Sequence, residues 1–264
     1  MEFSKAEQQS LRAVAEEMAE AARAVTLRYF RTALAVDNKE ADGFDPVTIA
    51  DREAEQAMRA VLAKRRPDDA IFGEEFGKSA GTSGLTWVLD PIDGTRAFIS
   101  GAPSWGVLIG LDAGQGPVLG VVDQPYIGER FIGGFGAADM VRGGVLRDIR
   151  VRPCGGLDDA ILMTTFPEIG TLAESAAFKH VSAACKLTRY SLDCYAYALL
   201  AMGQIDLVIE AGLNAYDVQG PIGVVEGAGG IVTDWQGNPA HNGGQIIAAG
   251  DARSHAAALA LLNG

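Results

Sequence analysis

The 264-residue sequence contains only three cysteines, Cys154, Cys185 and Cys194, spread far apart with no CxxC and no zinc-ligand spacing. That scarcity excludes a disulfide framework and a structural zinc site, and it fits a reducing compartment. Long apolar runs are missing as well: none approaches the roughly 20 residues needed to span a bilayer, although 48% of the residues are apolar. The opening MEFSKAEQQS lacks a basic segment followed by a hydrophobic one, so a cytoplasmic protein with no membrane partner is expected. Clustered Lys and Arg are also lacking. With 22 basic against 34 acidic residues, a net charge of −12, the chain is not built to neutralise a nucleic-acid backbone, and acidity favours cations instead. Excess acid also keeps an ordinary enzyme soluble, so only the placement of particular acids is informative.

Several catalytic signatures are absent too. The histidines His180, His241 and His255 have no HExxH spacing, and neither a GxSxG elbow nor a GxxxxGK[ST] loop occurs. Each histidine is therefore expected at the surface or in packing. The GAGG at 227–230 closes a helical segment, where a dinucleotide fingerprint would open one.

What is present is enough chain for one large domain or two intimate halves with an ample core. Leu11, Val14, Met18, Ala22, Val25 and Tyr29 recur at helical spacing behind a Ser4/Glu7 capping-box pattern, predicting a long first helix. Thr48, with Asp51 three residues on, opens a second helix whose apolar face is Ala54, Met58, Val61 and Leu62, ending before Pro67. Short apolar runs at 70–73, 86–89, 106–111, 118–122 and 130–133, punctuated by Gly and Pro, predict a mostly antiparallel sheet. Beyond Arg152-Pro153, strands at 160–164, 205–210, 231–233 and 246–249 alternate with helices near 171–179, 194–202, 218–228 and 252–262. The expectation is α/β (α+β) with packed halves 1–150 and 151–264, no linker and no internal repeat.

The chemistry lies in acids at strand and helix ends. Trp87-Val88-Leu89-Asp90-Pro91-Ile92-Asp93-Gly94-Thr95 is an apolar strand expected to end on Asp90, turn through Pro91 and present Asp93 before a new segment. Two such carboxylates suit a hard cation, and the Gly94 and Thr95 amides suit a phosphate. A lone DPxDG is also an ordinary solvent turn, and a lone Gly73-Glu74-Glu75 an ordinary charged one. A third acid site, Asn214-Ala215-Tyr216-Asp217, starts the helix that closes on Gly229-Gly230.

Taken together, Asp45-Pro46-Val47-Thr48-Ile49-Ala50-Asp51, Gly73-Glu74-Glu75, Asp90-Pro91-Ile92-Asp93-Gly94-Thr95 and Tyr216-Asp217 with Glu226-Gly227-Ala228-Gly229-Gly230 resemble the inositol monophosphatase family, in order and spacing, over nearly the whole chain. The resemblance implies a layered αβαβα sandwich with a metal site between its halves. It also implies two to three Mg²⁺ ions: Glu74, Asp90 and the Ile92 carbonyl would hold one, Asp90, Asp93 and Asp217 a second, with a weaker third near Glu74. Thr95, oriented by Asp51 and assisted by Glu74, would position the attacking water, and the Gly94 and Thr95 amides would bind phosphate oxygens. A homodimer is implied as well, acting on a small phosphate monoester.

Within the family, Arg189-Tyr190-Ser191-Leu192-Asp193-Cys194-Tyr195-Ala196-Tyr197 is similar to the Arg-x-Gly-Gly-Asp-Cys-Tyr-x-Tyr of the histidinol-phosphate phosphatase branch, but Ser191-Leu192 stands where two glycines are common. The segment 96–106 resembles the same branch. Arg189, Asp193 and Glu210 are thereby the candidate substrate residues: carboxylates at 193 and 210 would pair with the ammonium and imidazole of histidinol phosphate, which a neutral polyol lacks. Asp193 is alternatively the N-cap of the helix that follows. Histidinol phosphatase is the leading expectation; an inositol or other polyol monophosphatase is the alternative, with a protein-binding role or a nucleotide 3′-phosphatase behind it.

Overall fold

In the computed structural model, which describes residues 2–33, 35–38 and 46–264, the chain begins with two helices that follow directly from capping and periodicity. Helix α1 (Lys5–Tyr29) starts on a capping box in which Ser4 and Glu7 exchange bonds, and it buries Leu11, Val14, Ala15, Met18, Ala19 and Ala22 along one stripe. Helix α2 (Ile49–Arg65) repeats the device with Thr48 and Asp51 and buries Ala54, Met58 and Leu62. A short ladder, β1 (Val36–Asn38) with β2 (Pro46–Thr48), precedes it. Asp45, the first residue of one family block, lies outside the described residues.

Eight strands then form one sheet: β3 (Ala70–Gly73), β4 (Gly77–Ser79), β5 (Thr86–Asp93), β6 (Gly106–Asp112), β7 (Pro117–Gln124), β8 (Glu129–Gly134), β9 (Ala137–Arg142) and β10 (Val145–Asp148). Their spatial order is β10-β9-β8-β7-β6-β5-β3-β4, with β3 and β5 parallel and every other pair antiparallel. The short helix α3 (Thr95–Ser100) joins β5 to β6. A second sheet, β12 (Leu187–Tyr190), β11 (Ile161–Thr164), β13 (Leu207–Asn214), β15 (Gly243–Ala249) and β14 (Ile231–Thr233), is parallel only around β11. Helices α4 (Leu172–Ala184), α5 (Tyr195–Ala201), α6 (Ala215–Gly227) and α7 (Ala252–Leu262) complete the chain.

The layers follow from three apolar cores. Stripes of α1 and α2 close over one face of the first sheet around Trp87, Leu89, Val107 and Ile109. Helices α5 and α6 fill the space between the two sheets, and α4 and α7 cover the outer face of the second through Phe178, Val181, Ala258 and Leu262. The order is α, β, α, β, α, as the resemblance implied. Each fully buried large side chain contributes about 1.5–3 kcal/mol. Asp123, fully buried on β7, accepts from Arg23 of α1 (2.6 and 3.1 Å) and from Arg130 of β8 (2.7 Å), which pins the first helix to the sheet.

Three strands of this sheet carry a row of glycines. Gly110, Gly120 and Gly133 stand directly opposite one another on β6, β7 and β8. Helix α6 lies along that row, itself glycine-bearing at 220, 223 and 227. The contact is backbone on backbone: a Cβ at Gly120 would fall 2.1 Å from the Gly220 carbonyl oxygen, and one at Gly223 would fall 2.4 Å from the Gly120 nitrogen.

The strand ending expected at Asp90 is not there. β5 runs on to Asp93 across a bulge, since Asp90 pairs with Leu108 but Asp93 with Gly106, leaving one residue too many on β5. The edge strands β4, β10 and β12, and β9 beside β10, carry no expected counterpart, being short, polar or Gly-flanked with little alternation to read. No helix among the described residues is long and apolar enough to cross a membrane.

Helix propensity and packing make opposite predictions at Gly223. In an open helix Gly→Ala gains about 1 kcal/mol. Here Gly223→Ala should instead cost about 1–3 kcal/mol through overpacking against an unyielding backbone. For a chain of this size that is a fall in Tm of roughly 2–4 °C per kcal/mol, read from thermal melts. A rise in Tm would show that the seam is loose.

Candidate active site

Where β5 meets the N-terminal turn of α6, acids from both halves converge. In a regular strand, residues three apart face opposite sides; the extra residue of the bulge restores the parity and turns Asp90 and Asp93 to the same side. Asp217, third residue of α6, closes the set, and each of the three offers a carboxylate oxygen within 4.8 Å of the others. Its own position is fixed by a capping box, with the Asn214 amide donating to Asp217 Oδ2 at 2.6 Å. Asp90 Oδ1 accepts from the Ile92 amide at 3.0 Å.

These carboxylates line a cavity of about 410 Å³ together with Glu74, Ile92, Gly94, Thr95, Asp193 and Glu210. A cavity of about 490 Å³ elsewhere, bounded by residues 113–118 and 239–241, holds none of the candidate residues. Burial raises the Asp90 carboxyl well above its usual range, with the charges of Glu74, Asp93 and Asp217 adding to it. Asp93 is raised well above its range by burial first and then by Asp193 and Asp217, against an opposing bond from the Cys194 amide at 2.8 Å. Three crowded oxygens that cannot all ionise alone are the donor set of a hard divalent cation, which prefers carboxylate and carbonyl ligands. Asp90, Asp93 and Asp217 fit such an ion, and Glu74 and Ile92 line the same cavity.

The turn after β5 follows from Gly94, whose φ of +78° is left-handed and whose added Cβ would lie 2.8 Å from Asp193 Cγ. Thr95 opens α3 and its hydroxyl donates to the Ile92 carbonyl at 3.1 Å. Asp51 does not orient Thr95 by a hydrogen bond: its Oδ2 accepts from the Thr48 amide (2.8 Å) and hydroxyl (2.7 Å), because the capping box claims it. Burial lifts Asp51 to about 6, opposed by those Thr48 bonds.

On the substrate side, Asp193 is not a helix cap. It sits at φ +46°, α5 is capped by Cys194 without a side-chain bond, and the Asp193 carboxylate accepts from Ser104 Oγ at 2.7 Å. Burial raises Asp193, with the Ser104 bond opposing. Glu210 is lifted by burial to about 7, opposed by bonds from Thr165 (amide 2.6 Å, hydroxyl 2.9 Å) and Thr164 (3.1 Å). A second bulge, between Glu210 and Leu213 on β13, borders the same cavity. Arg189 is not brought to it: it lies exposed on the edge strand β12, outside the lining.

Other contributors escape sequence reasoning. Glu55, fully buried, accepts from Arg59 Nε (2.7 Å) and from the Glu75 amide (2.7 Å), so it holds the Gly73-Glu74-Glu75 turn in place. Its i, i+4 spacing to Arg59 is the one available signal. Arg96 stacks over Phe166 at the cavity wall, 5.3 Å from the ring centroid. Tyr197 lines the same cavity, its buried hydroxyl without a hydrogen-bond partner among the described residues.

Comparison with known proteins agrees with this geometry. The profile of the inositol monophosphatase family matches residues 7–263. The bifunctional phosphatase IMPL2, chloroplastic, of Arabidopsis thaliana is 40% identical over 98% of this chain and 76% of its own length. A histidinol-phosphatase of Chlorobaculum parvum is 33% identical, covering 95% of this chain and 96% of its own. Among solved structures, an inositol monophosphatase from Zymomonas mobilis is 41% identical and superimposes with a TM-score of 0.86, covering 99% of this chain and 100% of that one.

The raised carboxyls fix the direction of a pH dependence. Asp90, Asp93 and Glu210 retain protons in the folded chain above the pH at which the unfolded chain releases them, so the stability they confer is complete below the unfolded values and is lost as pH rises. Glu210 places part of that loss between 4.5 and about 7. In chelator, Tm should therefore fall from about pH 5 to about pH 8, and Asp93→Asn should flatten the slope and raise Tm at the alkaline end. Mg²⁺ should raise Tm most at high pH. A wild-type Tm that climbs over this range would refute the assignment.

Proposed function

The chain belongs to the inositol monophosphatase family, and from that premise we propose that it is a Mg²⁺-dependent phosphatase that hydrolyses histidinol phosphate to histidinol and phosphate. Members of the family are metal-dependent phosphatases, and the carboxylate cluster of Asp90, Asp93 and Asp217 has the donor chemistry for it. On this reading, Glu74, Asp90 and the Ile92 carbonyl would hold one ion and Asp90, Asp93 and Asp217 would hold another. Bound Mg²⁺ lowers the pKa of water and neutralises charge on the attacking and leaving oxygens.

The chain's own groups do the rest. Gly94 and Thr95 present backbone amides to the phosphate oxygens, and the left-handed Gly94 allows the close approach. Thr95 and Glu74 position the nucleophilic water, while Asp51 holds the start of α2 through its capping box with Thr48. The water oxygen bonds to phosphorus as the ester P–O bond breaks, and one of the water's protons ends on the leaving alcohol oxygen, the other on the phosphate.

The observation that carries the substrate is Asp193. Beyond the metal acids, the cavity presents two further carboxylates, Asp193 and Glu210, where the organic part of the ester would lie. An ammonium and an imidazole offset their charge, which a polyol cannot do. The relative named histidinol-phosphatase supports this choice, while the solved neighbour named inositol monophosphatase supports the second reading, an inositol or polyol monophosphatase. For assembly we propose a homodimer, on family resemblance, and for location the cytoplasm, which the three free cysteines suit.

Asp93→Asn and Asp217→Asn should each lower kcat by several orders of magnitude while leaving the protein folded, since each removes anionic charge beside the leaving oxygen. Near-wild-type turnover at saturating Mg²⁺ would remove them from the reaction. Asp193→Asn tests the substrate: Asn tolerates the left-handed backbone, so the change deletes charge with little strain. The lost charge-assisted bond should lower kcat/KM for histidinol phosphate about 10- to 150-fold, with a much smaller loss on glycerol 2-phosphate. Equal losses on both esters would sink the histidinol reading, and faster wild-type turnover of inositol 1-phosphate would favour the second.

A further inference from the structure

We infer that Ser104 is a positioning residue for substrate selection, its hydroxyl aiming the Asp193 carboxylate into the cavity. This deepens the reading above, since it rests on Asp193 meeting the organic part of the substrate. Ser104 lies between α3 and β6, is 4% exposed, and is held on three sides. Its carbonyl accepts from Gln124 Nε2 at 3.1 Å, and its hydroxyl donates to Asp193 Oδ2 at 2.7 Å. The next side chain, the fully buried Trp105, is wedged against Phe30 and Phe98 at ring-centroid distances of 5.2 and 4.8 Å.

That rigidity matters because, among the described residues, no other side chain donates to Asp193. Among the described residues Ser104 is its hydrogen-bond donor, and Oδ1 is left over for a ligand. The carboxyl packs against Gly94, so backbone blocks it on that side. The carboxyl groups of Asp93 and Glu210 line the same cavity beside it. Without the hydroxyl, the side chain is no longer held about its two torsions and ceases to present a fixed oxygen. The following amide, Cys194 N, donates to Asp93 Oδ2, so the turn that carries Asp193 also touches the metal acids. A hydroxyl on one half of the protein thus sets the geometry of a recognition acid on the other.

The test is a double-mutant cycle on the full-length enzyme with Mg²⁺, using Ser104→Ala, Ser104→Thr, Asp193→Asn and the Ser104→Ala/Asp193→Asn pair. Histidinol phosphate, inositol 1-phosphate and glycerol 2-phosphate are the esters, and Tm is measured alongside. Ser104→Ala should raise KM for histidinol phosphate about 3- to 10-fold, with kcat changed far less. Ser104→Thr, which keeps the hydroxyl, should restore most of the loss. In the Asp193→Asn background the Ser104→Ala change should have no further effect on KM. Losses that add, or that fall equally on all three esters, overturn the inference. A wild-type preference for inositol 1-phosphate would defeat the histidinol reading, and the same cycle, run on that ester, still decides: coupled losses uphold the role of Ser104 and additive losses overturn it.

Discussion

Everything at the site depends on how closely α6 can lie against the first sheet. Asp217 belongs to the helix and Asp90 and Asp93 to a strand, so their oxygens converge only if helix and sheet meet without side chains between them. The cross-strand row Gly110, Gly120, Gly133 removes the sheet's side chains, and Gly220, Gly223 and Gly227 remove the helix's. Helix axes usually stand off a packed neighbour by 8–10 Å because side chains fill the gap; here backbone atoms take that place. The glycines are unfavourable for the helix by propensity, about 1 kcal/mol each, and the fold accepts this in exchange for the approach.

Charge is the second constraint, and it runs against the first. Close seating forces acids together in a buried place, and the raised carboxyls of Asp90 and Asp93 record the cost. Local devices hold the acids despite it: a bulge aims Asp93, a capping box fixes Asp217, and buried Glu55 secures the turn that follows Glu74. Stability and function are opposed here, as is common where a site needs a bound ion to balance it.

Much of this was readable from residues alone, where the cause is local. The capping boxes at Ser4 and Thr48 and the stripes behind them place α1 and α2 within a residue or two. The acids of β5 and α6 are visible as sequence blocks, and the family resemblance orders them into one site. What was not legible depends on distant partners. The bulge in β5 is set by its pairing with β6, so the strand was expected to end at Asp90. Asp193 reads either as a substrate acid or as a helix cap until its left-handed backbone and its bond to Ser104, far off in sequence, remove the second reading. Arg189 sits in the motif yet is carried by an exposed edge strand away from the cavity, because motif adjacency does not determine which way a strand faces.

The bulge in β5 also bears on how this protein would answer to genetic dissection. By adding a residue out of register it exposes main chain in the cavity wall, where the Ile92 carbonyl already receives the Thr95 hydroxyl. Every amino acid supplies the same carbonyl, so exchanging the side chain at position 92 leaves that oxygen where it is. If the proposed metal reading holds, a complete substitution scan would therefore mark the aspartates as essential and score position 92 by the apolar packing of its isoleucine alone. The oxygen's contribution would surface only when the backbone itself is altered, by deleting a residue from the bulge or by replacing the amide with an ester.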